Sequence, residues 1–139
     1  MIKLNNYELE IRGNNVVTEA EFTLLLNSFY RKTAESMDEE FALEKMAEIA
    51  EIAISGETQP HFDAPIDISC DHMNTYGMAN MYGKNGDIIK ALGIIAGALY
   101  RTHVEYDSEE SAKQWLAFIG RIAVMSDEEL HDSAHEILN

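Results

Sequence analysis

Residues 88–104 read IIKALGIIAGALYRTHV, and this stretch decides the fold. Apolar residues occupy nearly every position rather than one face, so the segment predicts a helix that the rest of the chain must cover on almost all sides. It is interrupted by Lys90 and is too short to span a bilayer, which needs about 20 apolar residues. The sequence therefore predicts a buried central helix in a globular domain.

Four further helices are predicted around this segment from the helical spacing of apolar residues and from residues that cap helix ends. Thr18 and Glu21 form an S/T-x-x-E capping box for the first helix, and Asp87 and Asp107 are expected to cap two later ones. The predicted helices cover residues 19–35, 38–54, 88–104, 108–125 and 127–138.

The remaining segments predict one hairpin and two loops. Residues 2–12 alternate apolar and polar side chains, and Asn5-Asn6 supplies a turn, which together predict a short β-hairpin. Residues 57–70 contain both prolines and predict a loop. Residues 71–86 combine Met and Tyr with three glycines, and a short helix, core packing, an oligomer contact and a small-molecule cleft all stay open there. The predicted fold class is mainly α, a compact bundle of about five helices with a short N-terminal β-hairpin, forming a single domain over residues 1–139.

The charge balance excludes several classes of partner. The chain carries 25 acidic and 10 basic residues, for a net charge of −15. Phosphates and anionic membranes repel such a protein, so we expect no direct binding to nucleic acid and none to membranes. The expected partner is a basic protein surface. A single cysteine, Cys70, excludes an intrachain disulfide, and the N-terminus has no apolar signal sequence, so a cytoplasmic location is predicted.

Most of the net charge lies in two segments. Residues 36–59 and residues 107–139 each have a net charge of −6. In the first segment, four glutamates recur at helical spacing and are expected to form a row along one helix face, where like charges are mildly destabilising. Such a row is either a solvated helix face or a surface that matches a positive partner. The residues predicted to bind the partner are Glu40, Glu44, Glu48, Glu51, Asp127, Glu128 and Asp132.

Patterns that could carry chemistry are incomplete. His131 and His135 lie four residues apart, within reach of one metal ion, but no second helix repeats the pattern. Cys70 and His72 are too few for a zinc framework and too close together in a loop for a nucleophilic pair. We therefore assign no catalytic residue, no metal ligand and no cofactor.

Two glycines in the central helix predict a close helix contact. Gly93 and Gly97 are four residues apart, and small residues at this spacing let two helix backbones approach. The contact is predicted to lie in a homodimer or larger assembly, because a small bundle has little chain with which to cover an apolar helix.

Two functional hypotheses follow. The first is a non-catalytic acidic protein that occupies a basic protein surface, such as a nucleic-acid-binding cleft, by analogy with small acidic inhibitors of phages and mobile elements. The alternative is a metal-dependent hydrolase of a phosphorylated small molecule such as a nucleotide. In that case Glu40, Glu44, Glu129 and Asp132 would hold the cation. The first hypothesis is preferred because the acidic residues form separate rows rather than one convergent cluster.

Overall fold

The computed structural model describes residues 1–6, 8–56, 61–71, 79–125 and 129. Helices make up 68% of the described residues, which confirms the mainly α class, and a small antiparallel sheet completes it. In chain order the elements are β1 (Ile2–Asn5), β2 (Glu8–Ile11), α1 (Asn15–Ser36), α2 (Glu39–Ser55), β3 (Asp67–Cys70), β4 (Asn80–Tyr82), α3 (Asn85–Tyr106) and α4 (Glu109–Ala123). The predicted helix 127–138 lies outside the described residues except for Glu129, which is helical.

Helix α3 is the central element of the fold, as its uniform apolarity predicts. Eleven of its residues are buried, and α1, α2 and α4 all pack against it. One continuous core joins α3 to the sheet and to the other three helices. None of the helices in the described part of the chain has the length and apolarity needed to cross a membrane.

The predicted hairpin is confirmed, and it belongs to a larger sheet. Strands β1 and β2 pair antiparallel with Ile2 opposite Ile11, and Asn6 takes the left-handed conformation (φ 52°) that the turn requires. Strand β3 pairs with the other edge of β1, and β4 pairs with β3, giving the order β2-β1-β3-β4.

The loop prediction for residues 57–70 is wrong at its end, where β3 lies. Ile66, Ile68 and Cys70 are all buried, in strict alternation with more exposed neighbours. This period-2 pattern is present in the sequence, but the two prolines, Pro60 and Pro65, indicate a loop. This four-residue segment becomes a strand because it pairs with the free edge of β1. The local sequence does not show that such an edge is available.

Helix α1 begins earlier than predicted, and the Thr18/Glu21 capping box is wrong. The actual cap is Asn14, whose side chain accepts a hydrogen bond of 2.9 Å from the Val17 backbone N–H. Thr18 lies inside the helix, and the fully buried Glu21 carboxylate is 2.6 Å from the Met1 ammonium group. A long-range ion pair therefore explains the glutamate that local reasoning assigned to the cap.

Asp87 does not cap α3. The helix starts two residues before it, and its buried carboxylate accepts hydrogen bonds from the backbone N–H groups of Asp63 (3.1 Å) and Ala64 (3.2 Å). Asp87 thus fixes the loop that leads into β3. Helix α4 is capped by Ser108 rather than Asp107, whereas α2 starts after the cap Asp38 and ends at Gly56, close to the predicted bounds.

Candidate acidic interface and its groove

The predicted glutamate row exists on the surface of α2. Glu40, Glu44, Glu48 and Glu51 are all exposed, and they follow one face of the helix. Only Glu48 has a cation partner among the described residues, the Lys45 Nζ at 3.1 Å. The row therefore presents one carboxylate paired with Lys45 and three that have no cation partner among the described residues.

An apolar groove lies beside this row, between α2 and α4. With about 3.6 residues per turn, the groove-lining residues of α2 are the direct neighbours of the glutamates on the helix surface. Leu43 and Ile54, at its two ends, remain 49% and 46% exposed, which is high for large aliphatic side chains. The groove encloses about 410 Å³ and is lined by Leu43, Met46, Ala47, Ala50, Ile54, Lys113, Leu116, Ala117, Gly120, Arg121 and Val124.

The two sides of the groove differ in charge. On the α2 side the neighbours are the glutamates, whereas α4 contributes Lys113 and Arg121. Lys113 is also 3.5 Å from Glu109, one turn earlier in α4. The groove therefore has an acidic side and a basic side around an apolar floor.

The second predicted acidic segment, residues 107–139, is described over residues 107–125 and at Glu129. Asp127, Glu128, Asp132, His131 and His135 lie outside the described residues. Glu129 is exposed and helical. The pKa of the Tyr30 phenol is raised by burial and by the negative charges of Glu39 and Glu129. The first turn of α2 and the segment after α4 thus both add negative charge around Tyr30.

Gly93 and Gly97 lie at the contact between α3 and α2 of the same chain. A Cβ atom on Gly93 would be 2.5 Å from Ile52 Cγ2, and one on Gly97 would be 3.3 Å from the Ala53 carbonyl oxygen. The close helix approach thus occurs within one chain. Assembly into a homodimer stays a prediction.

The described residues bring no metal-ligand cluster together. No three His, Cys, Asp or Glu side chains among them are placed to hold a metal ion. Glu40 and Glu44 point to solvent on α2. Asp132, the fourth residue of the hydrolase hypothesis, is outside the described part. Cys70 is buried in β3, with a thiol pKa raised to about 11 by burial and by the charges of Glu21 and Asp71, against the opposing Met1 ammonium.

Sequence reasoning did not find the long-range pairs that join α1 to α3 and α4. His103 Nε2 is 2.5 Å from Glu19 Oε1, and its ring stacks on Trp115 with centroids 4.5 Å apart. The Asn27 amide donates to the Ala123 carbonyl at 2.8 Å and joins α1 to the end of α4. These partners are far apart in the chain, so no local spacing indicates them.

Comparison with known protein families, with curated proteins and with solved structures finds no match to this chain.

Proposed function

We propose that this chain is a non-catalytic interaction protein that binds a basic partner through α2 and the adjoining groove. The observation that supports this most directly is the row Glu40, Glu44 and Glu51, which no described cation neutralises. A row of like charges costs stability. A partner that brings lysine or arginine to the row offsets this cost when it binds.

The groove indicates the shape of the partner. From Leu43 to Ile54 the α2 side extends over about three helical turns, or about 17 Å. An apolar channel of this length fits one face of an amphipathic helix, the common helix-in-groove mode of recognition. The glutamate row then selects a helix with basic residues along the flank that faces α2.

The proposal includes the blocking of a nucleic-acid-binding surface. A helix that contacts phosphates carries lysine and arginine along one face. The acidic row of α2 offers carboxylates to the same cations and would compete with nucleic acid for them.

The test uses a synthetic 14-residue amphipathic peptide of leucine and lysine as the probe. Two comparison peptides carry glutamate in place of lysine, or serine in place of leucine. Of the three peptides, we expect only the Leu/Lys peptide to bind with high affinity. Calorimetry at several salt concentrations should show affinity falling as salt rises, because salt screens the charge pairs.

The variant Glu40→Gln/Glu44→Gln/Glu51→Gln removes the unpaired row and leaves the Glu48–Lys45 pair intact. We expect its affinity for the Leu/Lys peptide to fall at least tenfold, with a flatter salt dependence. The matched control, Glu8→Gln/Glu35→Gln/Glu105→Gln, removes the same charge from exposed positions on β2, α1 and α3. Equal losses in the two variants would show attraction to net charge only and would contradict the proposed interface.

A further inference from the structure

A second concave site lies at the end of the helices where α3 begins. It is a cavity of about 280 Å³ where the last turns of α1 meet the first turns of α2 and α3 and strand β4. Its buried apolar wall includes Phe29 and Ile88, which are 6% and 8% exposed. The lining residues are Phe29, Lys32, Thr33, Ser36, Met37, Phe41, Lys45, Met81, Asn85, Gly86, Ile88 and Ile89.

The charge of this cavity is opposite to that of the protein. Among the described residues, the charged ones that line it are Lys32 and Lys45 and none is a carboxylate, although the chain has a net charge of −15. Lys45 Nζ lies 5.0 Å from the centre of the Phe41 ring and 3.1 Å from Glu48. No described carboxylate pairs with Lys32. The Lys45 ammonium group is therefore held over an aromatic ring and beside Glu48, whereas the Lys32 ammonium group has no carboxylate partner in the described part of the chain.

The apolar wall and the two cations define the chemistry of a ligand. We propose that the cavity binds a small anionic amphiphile, an alkyl or aryl phosphate or carboxylate. Its head group lies between Lys32 and Lys45, and its apolar body packs against Phe29, Phe41 and Ile88. Ligand sites enclose roughly 300–1000 Å³, so a cavity of about 280 Å³ suits a molecule at the small end of that range.

The polar part of the wall is consistent with an anionic head group. Thr33 brings a hydroxyl group, whereas the Ser36 hydroxyl donates to the Lys32 carbonyl at 2.9 Å. Asn85 and Gly86 belong to the first turn of α3, where backbone N–H groups have no partner within the helix. A Cβ on Gly86 would meet no atom within 4 Å, so the backbone is open on that side.

The experiment separates head group from body with four probes: octyl phosphate, inorganic phosphate, octanol and octylammonium. Octanoate extends the series to a carboxylate head group. Binding is measured by calorimetry and located by the amide chemical shifts of the cavity residues. We expect octyl phosphate to bind at least tenfold more tightly than phosphate or octanol, and octylammonium not to shift the cavity amides. Octanoate binding as tightly as octyl phosphate would identify a general anion site, whereas a preference for the phosphate would narrow the ligand class.

The variant Lys32→Gln/Lys45→Gln should weaken octyl phosphate binding at least tenfold while the far-ultraviolet spectrum and melting temperature stay close to those of the parent. The matched control, Lys3→Gln/Arg12→Gln, changes the net charge equally at exposed positions on β1 and directly after β2, and it should leave binding unchanged. The proposal is overturned if octanol or octylammonium binds as well as octyl phosphate, or if both lysine variants behave alike. It does not depend on the acidic row, so either proposal can fail without the other.

Discussion

At the scale of single residues, burial determines the chemistry of Cys70. Its side chain is 1% exposed in β3, and removal from water disfavours the thiolate. The charges of Glu21 and Asp71 act in the same direction, and the Met1 ammonium opposes them, so that the thiol pKa rises from 9.0 to about 11. A thiol of this kind is a core side chain rather than a nucleophile.

This shift predicts a loss of stability in alkaline solution. Because the folded pKa is the higher one, the contribution of the protonated thiol is fully present below pH 9 and is lost as the pH rises toward 11. The loss is on the order of 2–3 kcal/mol if the whole shift is realised. Urea unfolding between pH 8 and pH 10.5 should show a steeper decline for the parent than for Cys70→Ala, in which the other titrating groups are unchanged. Parallel curves for the two proteins would contradict the assignment.

Individual residues were also where sequence reasoning was least reliable. Glu21 and Asp87 each fit a helix-cap pattern, yet their carboxylates bind the Met1 ammonium and the 63–64 backbone. A cap pattern is satisfied within four residues, whereas these partners are 20 or more residues away. Only the fold brings them together.

At the scale of elements, the contact between α2 and α3 depends on the absence of a side chain. A Cβ on Gly93 would lie 2.5 Å from Ile52 Cγ2 and 2.6 Å from Ile52 Cβ. No rotamer of Ile52 can relieve the second contact, because Cβ is fixed by the backbone. The two helices must therefore separate if residue 93 acquires a side chain.

We accordingly expect Gly93→Ala to destabilise the protein by about 1–3 kcal/mol, the usual cost of overpacking a core. Gly120→Ala is the matched control, because Gly120 also lies within a helix but a Cβ there would meet nothing within 4 Å. This second change should be neutral or stabilising by up to about 1 kcal/mol, since alanine is the better helix former. Chemical denaturation of both variants measures the difference. Equal changes in the free energy of unfolding for the two variants would show that Gly93 is not what allows α2 and α3 to approach closely.

The elements that were predicted correctly are those whose structure is determined by neighbouring residues in the sequence. The apolar run of α3 indicates a central helix, and the spacing of Glu40, Glu44 and Glu48 places them on one face without any knowledge of the fold. The groove could not be predicted, because Leu43 and Val124 lie more than 80 residues apart and line one groove only when α2 and α4 both pack against α1 and α3. Strands β3 and β4 were missed for the same reason: each becomes a strand by pairing with a neighbour.

At the scale of the whole molecule, the distribution of charge bears on self-association. The sequence predicted a homodimer because α3 is apolar on all sides, but α1, α2, α4 and the sheet cover it within one chain. Two copies with a net charge of −15 repel each other, most strongly at low salt. Assembly into a homodimer therefore stays a prediction, but an uncovered α3 no longer supports it. Light scattering tests it by comparing the molar mass in solution with the 15.7 kDa of the monomer.

The same excess of negative charge predicts how salt changes stability. Folding gathers 25 carboxylates and 10 basic groups into a small volume, and the repulsion among the excess acids opposes the compact state. Sodium chloride screens this repulsion. We expect the free energy of unfolding, measured in urea, to rise by on the order of 1 kcal/mol between 20 mM and 500 mM salt.

The Glu40→Gln/Glu44→Gln/Glu51→Gln variant should be slightly more stable at low salt and should gain less from added salt, because part of the repulsion lies along α2. The Glu8→Gln/Glu35→Gln/Glu105→Gln variant separates net charge from the row: a response equal to that of the α2 variant would assign the effect to net charge alone. A fall in stability with salt would mean that attractive ion pairs, such as those of Lys45 and Lys113, outweigh the repulsion.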